Sequence, residues 1–253
     1  MRLLPALFCL SLLAACSGPE PPAPPAAATP PAAPTPPPIP EDDLYVLAVG
    51  GNGFRADMDL AALRRRYGVE AVVEQEVPLG EGQTEPGAVI HPNDPTRRAF
   101  VYFVDGNVAG PITAIQIRDP ESRWSGPMGL RLGMTSLDLE RLNGKPFRFL
   151  GFEWDYGGYV SNWTDGGLST ALLAPGQLAV RLSPPVLSEG VERAKGYPMG
   201  DSEFTSDIPP IREQPPVVSE MGLGFVPAAP ASVEPAAEPA ATGKTEAETA
   251  PAG

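Results

Sequence analysis

Apolar residues along this chain fall into short alternating runs separated by Gly, Pro and Asn, with only two brief stretches at helical spacing. Residues 44–49 form a strand-like run. Leu60, Leu63 and Tyr67 then recur at the period of a helix, with Asp57 as a cap before them and Gly68 as a stop. Residues 69–77 alternate as a half-buried strand that Pro78 ends. Phe100, Tyr102 and Val104 face one way and Val101 and Phe103 the other. Residues 112–117 follow after a Gly-Pro turn, and both runs read as central strands.

The second half repeats the order. Thr135 suits a helix N-cap, residues 137–142 supply a short helix, Gly144 ends it, and Lys145-Pro146 opens an extended run through Phe149. Further strands are expected at residues 159–163, around 168–172, and at 178–182. A last one is expected at 217–225, where Val217, Met221, Leu223 and Phe225 share a face. The pattern predicts an α+β domain, mainly antiparallel sheet with two short helices. The recurrence of helix, glycine stop and strand, in residues 63–68 and 139–144, suggests two repeated helix-strand units.

Composition sets the limits of this domain within the 253 residues. Residues 17–40 are about half proline interleaved with alanine, and the segment after Val226 is again Pro, Ala and Glu. Neither composition can build a core. The folded domain is therefore expected at residues 41–226, with a disordered tail at 227–253. Polyproline II geometry would make the first segment a stiff spacer reaching about 70 Å at ~3.1 Å per residue.

The start of the chain has its own logic. Met1-Arg2, an apolar run over residues 3–13 and the small pair Ala14-Ala15 have the layout of a signal peptide, and the run is too short to span a bilayer. Leu13-Ala14-Ala15-Cys16 resembles the lipobox of bacterial lipoproteins. The resemblance implies cleavage after residue 15, acylation of Cys16 and anchoring by several acyl chains, with residues 16–40 as lipidated cysteine and linker. Ser17, in place of the Asp that commonly retains lipoproteins in the inner membrane, implies the outer membrane, with the periplasmic side favoured over the cell surface. Cys9 would be discarded with the signal peptide. Cys16 would be consumed by its thioether, leaving no disulfide in the chain.

Charge narrows the partners. A net charge of −13 disfavours nucleic acid and anionic lipid, since neutralising phosphates needs clustered cations and only Arg64-Arg65-Arg66 offers them. That run sits on the first helix and reads as a solvated face.

Gly129-Leu130-Arg131-Leu132-Gly133-Met134-Thr135, with Leu139 and Gly144-Lys145-Pro146, resembles the glycine-methionine-threonine helix motif of SmpA/OmlA-type outer-membrane lipoproteins and of β-lactamase-inhibitor-like domains. The stretch from Met134 to Trp163 is also similar to a group of uncharacterised bacterial envelope proteins. In the inhibitor-like domains, paired units present a concave sheet to a protein partner, so the resemblance implies binding. The long proline spacer and the larger domain depart from the SmpA/OmlA pattern.

Candidate chemistry concentrates in Gly151-Phe152-Glu153-Trp154-Asp155-Tyr156-Gly157-Gly158, with Trp163 and Asp165 following. Trp154, Tyr156 and Trp163, with Trp124, are the candidate binding aromatics, because exposed aromatic rings supply large contact area to a protein or to peptidoglycan. If Glu153 and Asp155 lay on a strand they would share a face, and the alternative reading is a glycan-acting hydrolase using them as acid and base. The single His91, beside Pro92-Asn93-Asp94-Pro95, reads as a strand end entering a surface turn. Gly50-Gly51-Asn52-Gly53 lacks the Lys-Ser/Thr of a phosphate loop and reads as a connection. No zinc, calcium or hydrolase-elbow motif is present, and no cofactor is expected.

Overall fold

The computed structural model describes residues 41–169 and 176–225. In chain order the elements are α1 (Glu41–Leu44), α2 (Leu60–Tyr67), β1 (Val72–Gly80), β2 (Gln83–Ile90), β3 (Ala99–Phe103), β4 (Ile112–Ile117), α3 (Ser136–Asn143), β5 (Arg148–Leu150), β6 (Val160–Asn162), β7 (Gly176–Ser183), β8 (Glu203–Thr205), α4 (Pro209–Glu213) and β9 (Val217–Phe225). Six strands form one sheet in the order β1-β2-β3-β4-β9-β7 and three form another in the order β6-β5-β8. Every pairing between these strands is antiparallel, so the class is α+β with mainly antiparallel sheet.

One face of the large sheet carries Val101, Phe103, Ile115, Ile117, Val180, Leu182, Met221 and Leu223 into the main core, where they meet Leu63 of α2 and Leu139 of α3. Burial of such side chains stabilises by about 1.5–3 kcal/mol each. The opposite face holds a smaller cluster of Val77, Val89 and Tyr102, with Phe100 and Ala114 against it. Gly87 makes that second cluster possible. A Cβ there would lie 2.5 Å from Val77 Cγ2 and 2.7 Å from Val101 O, so any side chain would keep Val77 from packing over β2.

The helix signals of the second half are realised closely. Thr135 caps α3, its side chain and that of Asp138 forming a reciprocal capping box, and Gly144 stops the helix in the left-handed conformation at φ 75°. Both eight-residue helices end at a glycine and lead to a strand, α2 to β1 and α3 to β5, but the two strands belong to different sheets. Their stops differ too, since Gly68 is extended in ψ (φ 97°, ψ 148°).

Elsewhere the local pattern is overruled. Residues 44–49 are not a strand: Val46 and Val49 make single bridges, to Ser125 and Phe54, because Gly50 and Gly51 at positive φ turn the chain back on itself. The cap of α2 is Asp59, whose carboxylate accepts from Ala62 N at 2.6 Å, while Asp57 pairs with Arg55. Only the residue directly preceding the first turn can reach that N–H. Pro78 does not end β1. It pairs with Thr84 on the edge of the sheet, where a missing N–H costs no ladder bond, and the register shifts between Pro78 and Gly80. Residues 69–71 and Val104 fall in 3-10 turns rather than strands. Of the strand expected at 168–172, Gly167–Ser169 is a 3-10 turn and residues 170–172 lie outside the described residues, as do the expected signal peptide, linker and tail. Nor is the arginine run a uniformly solvated face, because Arg66 lies over the rings of Phe54 and Tyr67 at 5.2 and 5.3 Å and donates to the carbonyls of Asn52 and Asp43.

His91, directly after β2 at φ 47°, lies 3.2 Å by its Nε2 from Tyr45 OH and edge-on to Tyr67. Burial, then the charge of Arg97, hold its pKa below the ordinary 6.5, with Asp94 opposing. The unfolded chain therefore takes up this proton first on acidification. The stability tied to His91 is complete above pH 6.5 and is lost as pH falls through 6.5 toward the lower folded pKa. His91→Asn, which tolerates positive φ, should shrink the difference in melting temperature between pH 7.5 and pH 5.5; thermal melts at both pH values measure it.

Candidate binding site

The site begins with an irregularity in β9. Leu182 pairs with Val218 and Arg181 with Glu220, so Ser219 is an extra residue and the alternation of β9 changes phase there. Val218, not Val217, therefore joins Met221, Leu223 and Phe225 in the core. Glu220 is turned to the opposite face of the sheet. Since Ile117 pairs with Met221, the next residue of that chain, Arg118, comes level with Glu220 from the other side. The outcome is a row across three chain segments, Arg118, Glu220, Arg181, alternating in sign.

Glu220 is only 7% exposed, and both its oxygens are engaged. Its Oε2 lies 3.2 Å from Arg118 Nε, and its Oε1 accepts from Tyr159 OH at 2.8 Å. Arg118 also donates to Tyr102 OH at 2.9 Å and to Gln116, and its guanidinium lies over Phe100 at 5.3 Å. Tyr102 in turn donates to Pro78 O at 2.7 Å. Burial foremost pushes the hydroxyls of Tyr102 and Tyr159 up to about 12, so both remain neutral donors at physiological pH. Arg181 donates to Gly157 O at 2.8 Å and Asp155 O at 3.2 Å and lies over Tyr159 at 5.1 Å.

Residues 151–159 form a clamped loop beside this row. Phe152 is buried and stacks on Tyr197, with ring centres 5.6 Å apart. Its N–H donates to Pro198 O at 3.0 Å, and Gly200 N returns a bond to Phe152 O at 2.8 Å. At the far end Gly158 N donates to Leu150 O at 2.9 Å while Leu182 N donates to Gly158 O at 2.8 Å. Gly158 has φ 81°, and a Cβ there would sit 2.0 Å from Leu182 O, so only glycine allows this contact with β7. Between the clamps Trp154 Nε1 donates to Gly151 O at 2.8 Å, fixing the indole, which meets Tyr156 edge to face at 5.4 Å. Tyr156 itself is 63% exposed.

Two clefts flank Trp154 and Arg181. One of about 310 Å³ is bordered by Arg118, Glu153, Ser183 and Glu220. The other, about 490 Å³, lies between the loop and the tip of the β1–β2 hairpin and is bordered by Leu79, Glu81, Gln83, Asp155, Tyr156 and Tyr159.

Trp154 and Tyr156 are thus brought together, but the other candidate aromatics are not with them. Trp163 is half-buried against Phe147 at 5.4 Å and borders a separate depression with Val160 and Leu168. Trp124 is fully buried, at 0% exposure, stacked on Phe54 with its Nε1 donating to Arg97 O at 3.0 Å, so it belongs to the core and presents no surface. Glu153 and Asp155 do not lie on a strand. The segment is a turn with Glu153 at φ 65°, and the two residues border different clefts. Nothing in the sequence marks Arg118 or Tyr159 as part of a site, whereas Arg181 and Glu220, charges inside the apolar runs 178–182 and 217–225, are signals of a two-faced strand. Among the described residues, no group of three or more His, Cys, Asp or Glu is placed to hold a metal ion.

Comparison with protein-family models, with characterised proteins and with solved structures finds no match.

Gly158→Ala should destabilise the protein by about 3 kcal/mol, through positive-φ strain and the clash with Leu182 O. It should also raise hydrogen exchange at Leu182 N–H more than at β4 amides; equilibrium urea unfolding and amide exchange measure the two effects.

Proposed function

We propose that this chain is a lipid-anchored protein of the bacterial envelope. In this reading acylated Cys16 holds it at the outer membrane, on the periplasmic side, and its α+β domain binds an envelope partner, a protein or peptidoglycan, through the surface around Trp154 and Tyr156. The observation that carries the binding part is the exposure of Tyr156 beside a Trp whose loop is pinned at both ends. A large aromatic held at the surface by a rigid support loses little entropy on binding. The anchoring part rests on the lipobox resemblance of residues 13–16 and on the Pro/Ala composition of the segment that follows. Binding is favoured over hydrolysis because the carboxylates of Glu153 and Asp155 border different clefts, which gives paired acid and base chemistry no common substrate position.

Mass spectrometry of the protein from its native membranes should find an acylated Cys16 at the mature N-terminus, and Cys16→Ser should move the protein to the soluble fraction. An unmodified Cys16 or cleavage elsewhere would remove the anchoring half of the reading. For the binding half, Tyr156→Ala and Trp154→Ala should reduce partner capture from cross-linked envelopes several-fold without loss of the cooperative melt. Undiminished capture by both variants would sink it.

A further inference from the structure

The groove on the hairpin side of Trp154 has a lining that selects for a particular chemistry. One wall is aromatic: Trp154 and Tyr156 at 5.4 Å, with Tyr159 also bordering the groove. The opposite wall, from the tip of the β1–β2 hairpin, offers one apolar side chain, Leu79 at 52% exposure, and the polar pair Glu81 and Gln83. Asp155 and Arg181 complete the lining. Carboxylate, amide and guanidinium residues thus border, together with the aromatic rings, a space of about 490 Å³, within the roughly 300–1,000 Å³ of small-ligand sites.

A protein hot spot is built round apolar anchors packed in a desolvated pocket. Here the side chains of Glu81, Gln83 and Asp155 are exposed, and the apolar lining is limited to Leu79 and the aromatic residues. A saccharide matches that arrangement, because a pyranose ring has an apolar C–H face that packs on an aromatic ring and an equatorial belt of hydroxyls that donate to carboxylates and accept from guanidinium or amide.

Charge refines the class of sugar. Arg181 is the cation of the groove and, among the described residues, no carboxylate lies within ion-pair distance of it. Its guanidinium is nonetheless committed in part to the carbonyls of Gly157 and Asp155, and it is outnumbered by Glu81 and Asp155. A ligand bearing its own carboxylate would be repelled by two acids for one cation, in a protein of net charge −13.

We infer that this groove is a lectin-type site for an uncharged stretch of a glycan chain, its sugar ring stacked on Tyr156 and Trp154 and its hydroxyls held by Glu81, Gln83, Asp155 and Arg181. This rests on the binding reading above and names the partner chemistry for it. The partner is a glycan strand rather than a protein, and no bond in it is broken.

The test uses the full-length lipidated protein in detergent, with intrinsic tryptophan fluorescence as the reporter and a Trp124→Phe, Trp163→Phe background to assign the change to Trp154. The probes are tri-N-acetylchitotriose, cellotriose and maltotriose, with tri-galacturonic acid as the acidic comparison. At least one neutral trisaccharide should give a saturable spectral change, and the acidic one should bind more weakly than it does. Tyr156→Ala should weaken binding about tenfold, the loss of one stacked ring. The double variant Glu81→Gln, Asp155→Asn should weaken the neutral sugar and remove the discrimination against the acidic one, while Val186→Ser, fully exposed and outside the groove, should leave both unchanged. Absence of saturation by all three neutral sugars overturns the glycan assignment. If envelope capture still depends on Tyr156 in that case, the binding surface stands and its partner is a protein. If capture is also independent of Tyr156, both readings fall together.

Discussion

Ser219 faces no partner residue in β7, and the phase of everything beside it follows from that one insertion. Strict alternation from Val217 would bury Val217, Ser219 and Met221 on one side and place Val218 and Glu220 on the other. With one residue out of step, Val218 and Met221 both reach the core and Glu220 alone is turned outward among arginines. A bulge is thus what lets a single strand satisfy two incompatible demands, a continuous apolar face and a charge at a fixed point on the reverse.

That charge is costly to hold. At 7% exposure Glu220 has given up most of its hydration, and the attraction of Arg118 offsets this only if the remaining lone pairs are also filled. Tyr159 supplies a hydrogen bond to one of the Glu220 oxygens, and Tyr159 belongs to the clamped loop. The loop is therefore tied to the sheet by a buried carboxylate as well as by the backbone bonds at Gly158, and Arg181 ties it a third time through the carbonyls of Gly157 and Asp155. Displacing the loop would leave a buried carboxylate short of a donor, a penalty larger than the modest net value of the bond itself. The position of Trp154 and Tyr156 is set through this chain of dependence.

Local chemistry made some of this legible and hid the rest. The α3 cap and stop could be read because Thr135, Asp138 and Gly144 act on backbone groups within a few residues of themselves. The runs 112–117 and 178–182 were legible as strands because each has an apolar core face. What sequence could not show is decided by partners far along the chain. Gly50 and Gly51 cancel a strand that residues 44–49 would otherwise form, Pro78 is tolerated because β1 happens to be an edge, and β2 shows only its end, before His91, because Pro86 and Gly87 interrupt its apolar pattern. Of the site, Trp154 and Tyr156 stood out as rare residues in a dense cluster. Trp124 stood out equally and is core, since nothing local distinguishes an aromatic that covers a surface from one that is covered.

The same contrast bears on how such a site would work on a tether. A groove of this size that holds one or two sugar rings offers only modest affinity, since a single stack and a few solvated hydrogen bonds are exchanged for similar contacts with water. Modest affinity suffices where the ligand is a polymer and the binder is confined near it, because each re-binding is then governed by local rather than bulk concentration. A rigid platform serves that regime better than a mobile one, as every encounter meets the binding geometry already formed. The bulge, the buried carboxylate and the glycine contact at Leu182 are consistent with that requirement, since each of them fixes the aromatic pair while adding nothing to the contact itself.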